Sequence, residues 1–337
     1  MQLQTQANKL AEIKYRQKIS VQHTGKKVFF KNEPNQKEIQ LVLKKRLEQY
    51  KDDFKNLNLK ESTLIKSPFL EIGAEYAIAS SYLRNKYKTN GIACDLSFYS
   101  LKKAKYFAKT FKLKKIPTLV CADANCLPFK SNSIPFIFVY ESLHHFPHPK
   151  PILKEIYRVL APGGTLFIGS EPIKQGFQIK LWRRPNKLRT WEKALKAVLI
   201  LPFISHIGKS EVDYGILEEA FPLKTWLKSL STFDSFEAQI EIPYINLTKK
   251  ITKDKKSTFP MSLILNLTGG GIRAICKKAQ GKPSNITLKQ PVFICPNCLD
   301  SKEIELKNLS CPRCKNTFFK KSGIPILLKG RTAQKIA

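Results

Sequence analysis

Four short apolar runs decide how this chain folds: PFLEIG at residues 68–73, GIACD at 91–95, PTLVCAD at 117–123 and IPFIFVYES at 134–142. Each is too short for a helix, and helical apolar spacing fills the gaps at residues 76–86 and 97–111. ILKEIYRVL (152–160) and GTLFIGSEP (164–172) add one more helix and one more strand. Strands alternating with helices predict an α/β fold, a parallel doubly wound sheet with both faces covered. Further on, VDYGILEEAFPLKTWLKSL (212–230) reads as one helix, and FEAQIEIPYINL (236–247) and GIRAICKKA (271–279) read as two strands that would complete the sheet.

Working outward, residues 1–60 form an N-terminal helical segment. Asn35 precedes Glu38 by three residues, as a capping box requires, and Ile39, Leu43, Leu47, Tyr50, Phe54 and Leu57 then recur every three or four positions. The main domain spans residues 61–280. Within it, a cap is inserted at about 174–210, where Trp182, Arg183, Arg184, Arg189 and Trp191 precede the apolar stretch 197–207. The polar stretch QGKPSNITLKQP (280–291) marks a domain boundary ahead of a small C-terminal module, residues 291–329.

With 337 residues, 42% of them hydrophobic and 25% charged, the chain has material for a full core plus that module, which excludes a collagen or a disordered tail. The most apolar stretch, 194–207, is interrupted by Lys196 and Pro202 and falls short of the roughly 20 residues a membrane span needs. The opening residues, MQLQTQANKLAEIKYRQK, have no apolar core of the kind a secretory signal carries, so the expected location is cytoplasmic, at most peripheral to a membrane, with reduced cysteines. The net charge of +33 invites a nucleic-acid reading. It is nevertheless spread along the whole chain, and 49 of the 59 basic residues are lysine rather than the bidentate arginine. It reads as a solvated lysine surface that leaves, as its partner expectation, weak association with RNA or an anionic membrane surface. No obligate protein partner is inferred.

Open α/β sheets bind ligands beyond the carboxyl ends of their strands. After the first strand stand Glu71, Gly73 and Ala74; after the second, Asp95; after the third, Asp123 and Ala124; after the fourth, residues 141–145, beginning with Glu141. A carboxylate closing the second strand accepts hydrogen bonds from both ribose hydroxyls, and polar groups after the third can read an adenine edge, so the ligand suggested is an adenosine. A pyrophosphate is disfavoured, because it would meet the negative charge of Glu75. His144 and His145 follow the fourth strand. One reading makes His144 a base that meets the substrate; the other packs the LHH turn beneath the ligand, which is the reading preferred for His145.

The stretches FLEIGAEYA (69–77), ACDLS (93–97), CADANCLPF (121–129), FIFVYESLHHF (136–146) and EIYRVLAPGGTLFIGSEP (155–172) make the chain resemble the class I S-adenosylmethionine-dependent methyltransferases over roughly residues 60–280. The resemblance implies a Rossmann-like domain that takes S-adenosylmethionine as cofactor. Glu71 and Gly73 would lie along its methionine, Asp95 would hold the ribose, and Asp123 with Ala124 would frame the adenine, with Ala74 and Glu141 completing the set. Gly163 and Gly164 match the family's turn into the fifth strand. Where the family's first loop has two further glycines, this chain has Glu75 and Ala77. A small-molecule, lipid or quinone-like methyl acceptor is implied. The alternatives are a tRNA, rRNA or protein methyltransferase, or an RNA-binding pseudoenzyme. VYES stands where an Asn-Pro-Pro-Tyr-type motif would mark methylation of base or glutamine amino groups.

Cys295 and Cys298 (CPNC) and Cys311 and Cys314 (CPRC) form two knuckles separated by twelve residues. Four thiolates so spaced can close on one structural zinc ion, and a module of this size has too small a core to fold easily without a staple; two redox pairs or disulfides are the competing reading, which the expected cytoplasmic setting disfavours. With Gly323, Ile324 and Pro325 before an apolar strand, residues 291–329 resemble the small zinc-ribbon activators that pair with class I methyltransferases. That resemblance implies a cis-acting stabiliser or docking module. Cys94, Cys121, Cys126 and Cys276 read as small core residues.

Overall fold

A computed structural model describes residues 2–57, 68–176, 181–184, 188–207, 210–242, 247–254, 261–279, 292–299 and 301–330. Two helices come first, α1 (Gln2–Thr24) and α2 (Gln36–Asn56). The expected capping box is present on α2: the Asn35 side chain accepts from the amides of Lys37 and Glu38, and the Glu38 carboxylate accepts from the Asn35 amide. Ile39, Leu43, Leu47 and Phe54 of the apolar stripe are buried. Helix α1 carries no such stripe in its sequence, yet it buries Ile13, Tyr15 and Ile19. The buried Gln22 side chain bonds the backbone of Phe29, Phe30, Glu33 and Pro34, pinning the connection from α1 to α2.

The main domain then runs β1 (Phe69–Ile72), α3 (Ile78–Tyr87), β2 (Gly91–Asp95), α4 (Phe98–Leu101), α5 (Ala104–Thr110), β3 (Thr118–Ala122), β4 (Ile134–Tyr140), a 3-10 turn (Leu143–His145), α6 (Pro149–Val159) and β5 (Leu160–Ile173). A small excursion follows, with β6 (Trp182–Arg184), α7 (Thr190–Ala197), α8 (Leu201–Ile204) and β7 (Ser205–Ile207), in which β6 and β7 pair in parallel. Next come α9 (Ser210–Asp213), α10 (Leu223–Leu230), β8 (Ser235–Ile242), β9 (Leu247–Thr252), α11 (Met261–Thr268), β10 (Gly270–Lys277), β11 (Phe319–Lys321) and β12 (Ile324–Leu327). Ten strands form one sheet in the order β11-β12-β3-β2-β1-β4-β5-β10-β8-β9. From β12 to β5 neighbours are parallel, and β10, β8 and β9 are added antiparallel. The sheet is therefore mixed, a Rossmann-like arrangement whose central strands are buried along their whole length.

Two features differ from the sequence reading, and one expected boundary falls outside the described residues. Residues 212–230 form two helices rather than one, because Gly215 sits at φ +86° and Pro222 starts α10, so the chain between them runs across the ends of the strands. Strand β9 and helix α11 carry too weak an apolar pattern to be read in advance. The polar stretch 280–291 read as a boundary lies outside the described residues. Beyond it, the C-terminal hairpin β11–β12 joins the main sheet, with Ile326 opposite Cys121 and Leu327 opposite Ala122 of β3. Cys94, Cys121, Cys126 and Cys276 are all buried.

Helix α2 carries Arg46 to Glu75 and Glu141 after the strand ends, so its cap is the local element to test. Asn35→Ala removes the acceptor for two amides and should cost about 1 kcal/mol of stability, read as a lower urea midpoint with an unchanged slope.

Candidate active site

The turn after β1 sets the floor of the site. Gly73 has φ +71°, and a Cβ there would stand 2.1 Å from the Ser142 Oγ, so the backbones after β1 and β4 can approach only because this residue is glycine. Glu75 and Ala77 keep a left-handed backbone too, at φ +46° and +52°, where the resembling family has glycine. That conformation costs roughly 1 kcal/mol or more for a residue with a Cβ. It is held in place at Glu75, whose amide donates to Asp95 Oδ2 at 2.8 Å and whose carboxylate pairs with Arg16 of α1 (3.4 Å) and Arg46 of α2 (3.7 Å). The charge introduced into the loop is thus answered by the two helices that roof it.

Glu71 is 4% exposed, and its Oε2 accepts from the Ser80 amide. Burial pushes its carboxyl up to about 8. Asp95, at the end of β2, accepts from the amides of Ser97 (2.7 Å) and Glu75, and burial pushes it up to about 6. Asp123, after β3, accepts from the Asn125 amide and side chain through Oδ1 and from Lys9 Nζ through Oδ2. Glu141, after β4, pairs with Arg46 at 2.9 Å and also has a positive φ.

Two adjoining cavities collect these groups. The larger, about 510 Å³, is lined by Glu71, Gly73, Ala74, Asp95, Glu141 and His144, together with Arg16, Arg46, Tyr50, Tyr76 and Tyr140. The smaller, about 90 Å³, is lined by Asp123, Ala124, Cys94, Leu96, Phe146 and Pro147, and Gly73 and Asp95 border both. All the site residues expected at the ends of β1 to β4 therefore surround one continuous hollow. No pattern along the chain marks its roof, which α1 builds with Lys9, Glu12 and Arg16 and α2 with Arg46.

His144 is held by a residue that sequence reasoning missed. Glu171, on β5, is fully buried; its Oε1 accepts from the amides of Ser142 and Leu143 at 2.8 Å, and its Oε2 from the His144 amide at 3.2 Å. The same Oε2 lies 2.9 Å from His144 Nδ1. Engaged this way, Nδ1 carries the proton and Nε2 is left as the basic nitrogen of a ring that lines the larger cavity. His145 contacts the Leu217 carbonyl through Nδ1 at 3.1 Å, and burial holds its pKa below the ordinary imidazole range.

In the C-terminal module, the sulfurs of Cys295, Cys298, Cys311 and Cys314 lie within 4.8 Å of one another. Cys295 to Cys314 spans 3.7 Å and Cys298 to Cys311 spans 3.8 Å, against about 3.8 Å for an edge of a tetrahedron with 2.3 Å zinc–sulfur bonds. The cluster is joined to the domain beside β3: the Ile294 amide donates to the Pro128 carbonyl, and Glu303 accepts from the Ser131 amide and hydroxyl and from Arg158.

Residues 70–168 match the family described as methyltransferase domain. The chain is similar to the sterol 24-C-methyltransferase of Saccharomyces cerevisiae, 33% identical over 79 residues that make up 23% of this chain and 21% of that one. It is also similar to the chloroplastic tocopherol O-methyltransferase of Arabidopsis thaliana, 30% identical over 29% of this chain and 28% of that protein. It therefore spans less than a third of the length of these curated relatives. A solved structure of geranyl diphosphate C-methyltransferase from Streptomyces coelicolor A3(2), in complex with Mg2+, geranyl diphosphate and S-adenosyl-L-homocysteine, aligns over 72% of this chain and 82% of that one, with 8% identity and a TM-score of 0.43. The stretch that matches the methyltransferase-domain family, residues 70–168, is the one that holds Glu71, Asp95, Asp123 and His144 at the ends of their strands.

Proposed function

We propose that the chain transfers a methyl group from S-adenosylmethionine to a small-molecule, lipid or quinone-like acceptor held in the larger cavity. The observation that carries this reading is the continuous hollow in which Glu71, Gly73, Asp95, Asp123 and Ala124 converge at the ends of three neighbouring strands. The residues fit the donor: Asp95 retains lone pairs for ribose hydroxyls, the smaller cavity offers apolar walls and a carboxylate to an adenine, and Glu71 faces the end where a methionine ammonium would lie. When bound, S-adenosylmethionine supplies an electrophilic methyl group. The chain's own contribution is alignment, exclusion of water beneath α1 and α2, and removal of the acceptor's proton by His144 Nε2, with Glu171 stabilising the imidazolium so formed.

The relatives named above act on a sterol and on tocopherol, which favours a lipid-like acceptor over RNA. No helix among the described residues is long and apolar enough to cross a membrane. We assign the four cysteines to one structural zinc ion, on the tetrahedral edge lengths, and the ribbon to a stabilising role in cis, because its hairpin pairs with the strand that leads into Asp123.

Calorimetry with S-adenosylmethionine tests the donor assignment. Asp95→Ala should weaken binding by roughly 1.5–3 kcal/mol for each charged hydrogen bond lost while leaving the fold intact; an unchanged affinity, or no binding by the wild type, would sink the assignment.

The raised carboxyl of Glu71 adds a pH dependence. Below about 8 the ligand-free site holds a proton that the cationic donor must displace, so affinity should climb with pH, by at most about tenfold per unit, and level off above 8. The same shift, upward from the ordinary 4.5, means that the ligand-free chain loses stability as pH rises from 4.5 toward 8. Glu71→Gln should flatten both profiles between about pH 6 and 8, leaving below that the slope due to Asp95, and a slope that survives above 6 in the variant would assign it to another group.

Metal analysis should find one zinc per chain. Chelation, or Cys311→Ser, should detach residues 319–327 from β3 and weaken S-adenosylhomocysteine binding, since Asp123 and Ala124 follow that strand. Full affinity after metal removal would refute the stabilising role.

A further inference from the structure

We infer that the excursion between β5 and α9 docks the chain on an anionic membrane surface by inserting apolar side chains into it. The excursion inverts the ordinary layout of a surface helix, which buries its apolar stripe and exposes its charges. On α7 and the residue after it, Trp191, Leu195 and Val198 recur at i, i+4 and i+7, yet Trp191 is 47% and Val198 62% exposed. The one carboxylate of residues 181–207, Glu192, is instead buried, and it caps the helix by accepting from the Arg189 amide at 2.7 Å. Leu199 and Ile200, in the turn into α8, and Leu181, before β6, are exposed as well. The excursion is nonetheless anchored: Leu201 and Ser205 are buried, and the Leu181 amide donates to the Ile204 carbonyl at 2.8 Å. A second exposed pair lies beside its start. The Gly176 amide donates to the Asn266 carbonyl and the Gln175 side chain to the Leu267 carbonyl, and Leu263 and Leu267, one turn apart on the uncharged helix α11, are both exposed. Seven of the fifteen large apolar side chains exposed among the described residues therefore fall in these two stretches, whereas an ordinary surface scatters them singly.

Charge selects the occupant. Residues 181–207 hold six Arg and Lys against Glu192 alone, and Arg189, Lys193 and Lys196 are exposed. Cations beside an exposed apolar face fit the headgroup layer of an anionic bilayer: the lysine stems lie along the apolar surface, their ammonium groups reach lipid phosphates, and an indole sits at the boundary between headgroup and acyl chain. An RNA strand would use the cations and leave Val198 and Ile200 in water. A second copy of the chain, packed through the same patch, would set these cations against one another.

The place of the excursion in the chain gives docking a consequence. It departs after Pro172 and returns through Glu211, and both of these line the larger cavity, whereas no described residue of 181–207 lines either cavity. Among the described residues it stands at the rim of the site rather than over it. Docked through this patch, the chain holds the larger cavity beside the bilayer, where a lipid or quinone-like acceptor resides. That consequence rests on the methyltransferase reading; the docking itself does not.

The test floats the full chain, without donor, on vesicles of phosphatidylcholine alone and on vesicles that also contain phosphatidylglycerol, at physiological salt. Binding to the anionic vesicles should exceed binding to the neutral ones by about tenfold or more. A chain of net charge +33 adheres to an anionic surface by charge alone, so the deciding variant leaves the charge unchanged. Trp191→Ser combined with Val198→Ser should weaken anionic-vesicle binding by about fivefold or more, with the urea midpoint unmoved. Lys193→Gln combined with Lys196→Gln, which keeps the apolar face, should weaken it by about fivefold or more as well. Equal binding to the two kinds of vesicle, or anionic binding indifferent to either double variant, overturns the inference. So does oligouridylate binding that the apolar variant weakens as much as vesicle binding, which would give the patch to RNA, or sedimentation showing self-association that the apolar variant abolishes, which would give it to a second copy. The readout needs no donor, so its failure is distinct from a failure of S-adenosylmethionine to bind.

Discussion

A carboxylate with no exposure to water holds the centre of this structure together. Glu171 gathers three backbone amides and one imidazole nitrogen from the turn that follows β4. Without it, the amides of Ser142 and Leu143 would be buried donors with no acceptor, each costing about 1–3 kcal/mol. Because the turn is fixed, Ser142 stands hard against Gly73, which sets how closely the first loop approaches the fourth strand, and His144 presents one chosen nitrogen to the cavity. One side chain on β5 thereby ties the loop after β1 to the turn that carries His144.

The first loop illustrates a different economy. Its backbone takes the left-handed turns that glycine makes easily, at Glu75 and Ala77, and further positive φ angles occur at Glu141 and Ser170 around the same hollow. Strain of this kind survives only where the surroundings over-determine it. Here the surroundings are arginines on α1 and α2, which reach Glu75 and Glu141 from outside the sheet. The roof is therefore part of the loop's stability as well as a cover.

What could be read from the sequence was what depends on neighbours along the chain. Strand ends are local, so Glu71, Asp95, Asp123 and Glu141 could be placed by pattern, and the α2 cap needs only Asn35 and Glu38. Glu171 was out of reach because its partners lie 27 to 29 residues away and meet it only when β4 and β5 pair. Arg16 and Arg46 were hidden among many surface cations, and nothing in their own helices marks them as partners of Glu75. Helix α1 falls within the expected helical segment, but its buried face is not legible because it mixes Ile13 and Ile19 with Ser20, Gln22 and His23, which breaks the apolar period. The division of 212–230 was legible in principle, since Gly215 and Pro222 are ordinary helix breakers; the strong apolar spacing of Trp226, Leu227 and Leu230 drew the reading past them.

The pairing of β12 with β3 bears on how the chain is made. Cys121 and Ile326 sit opposite one another although roughly two hundred residues separate them. During synthesis β3 emerges early, with its inner neighbour β2 already available, while its outer flank has no partner until nearly all of the described chain has been translated. A row of unsatisfied amides and carbonyls along an apolar strand is a template for pairing with other chains. The hairpin that follows the cysteine knuckles therefore covers a strand edge that would otherwise stay open to a neighbouring chain.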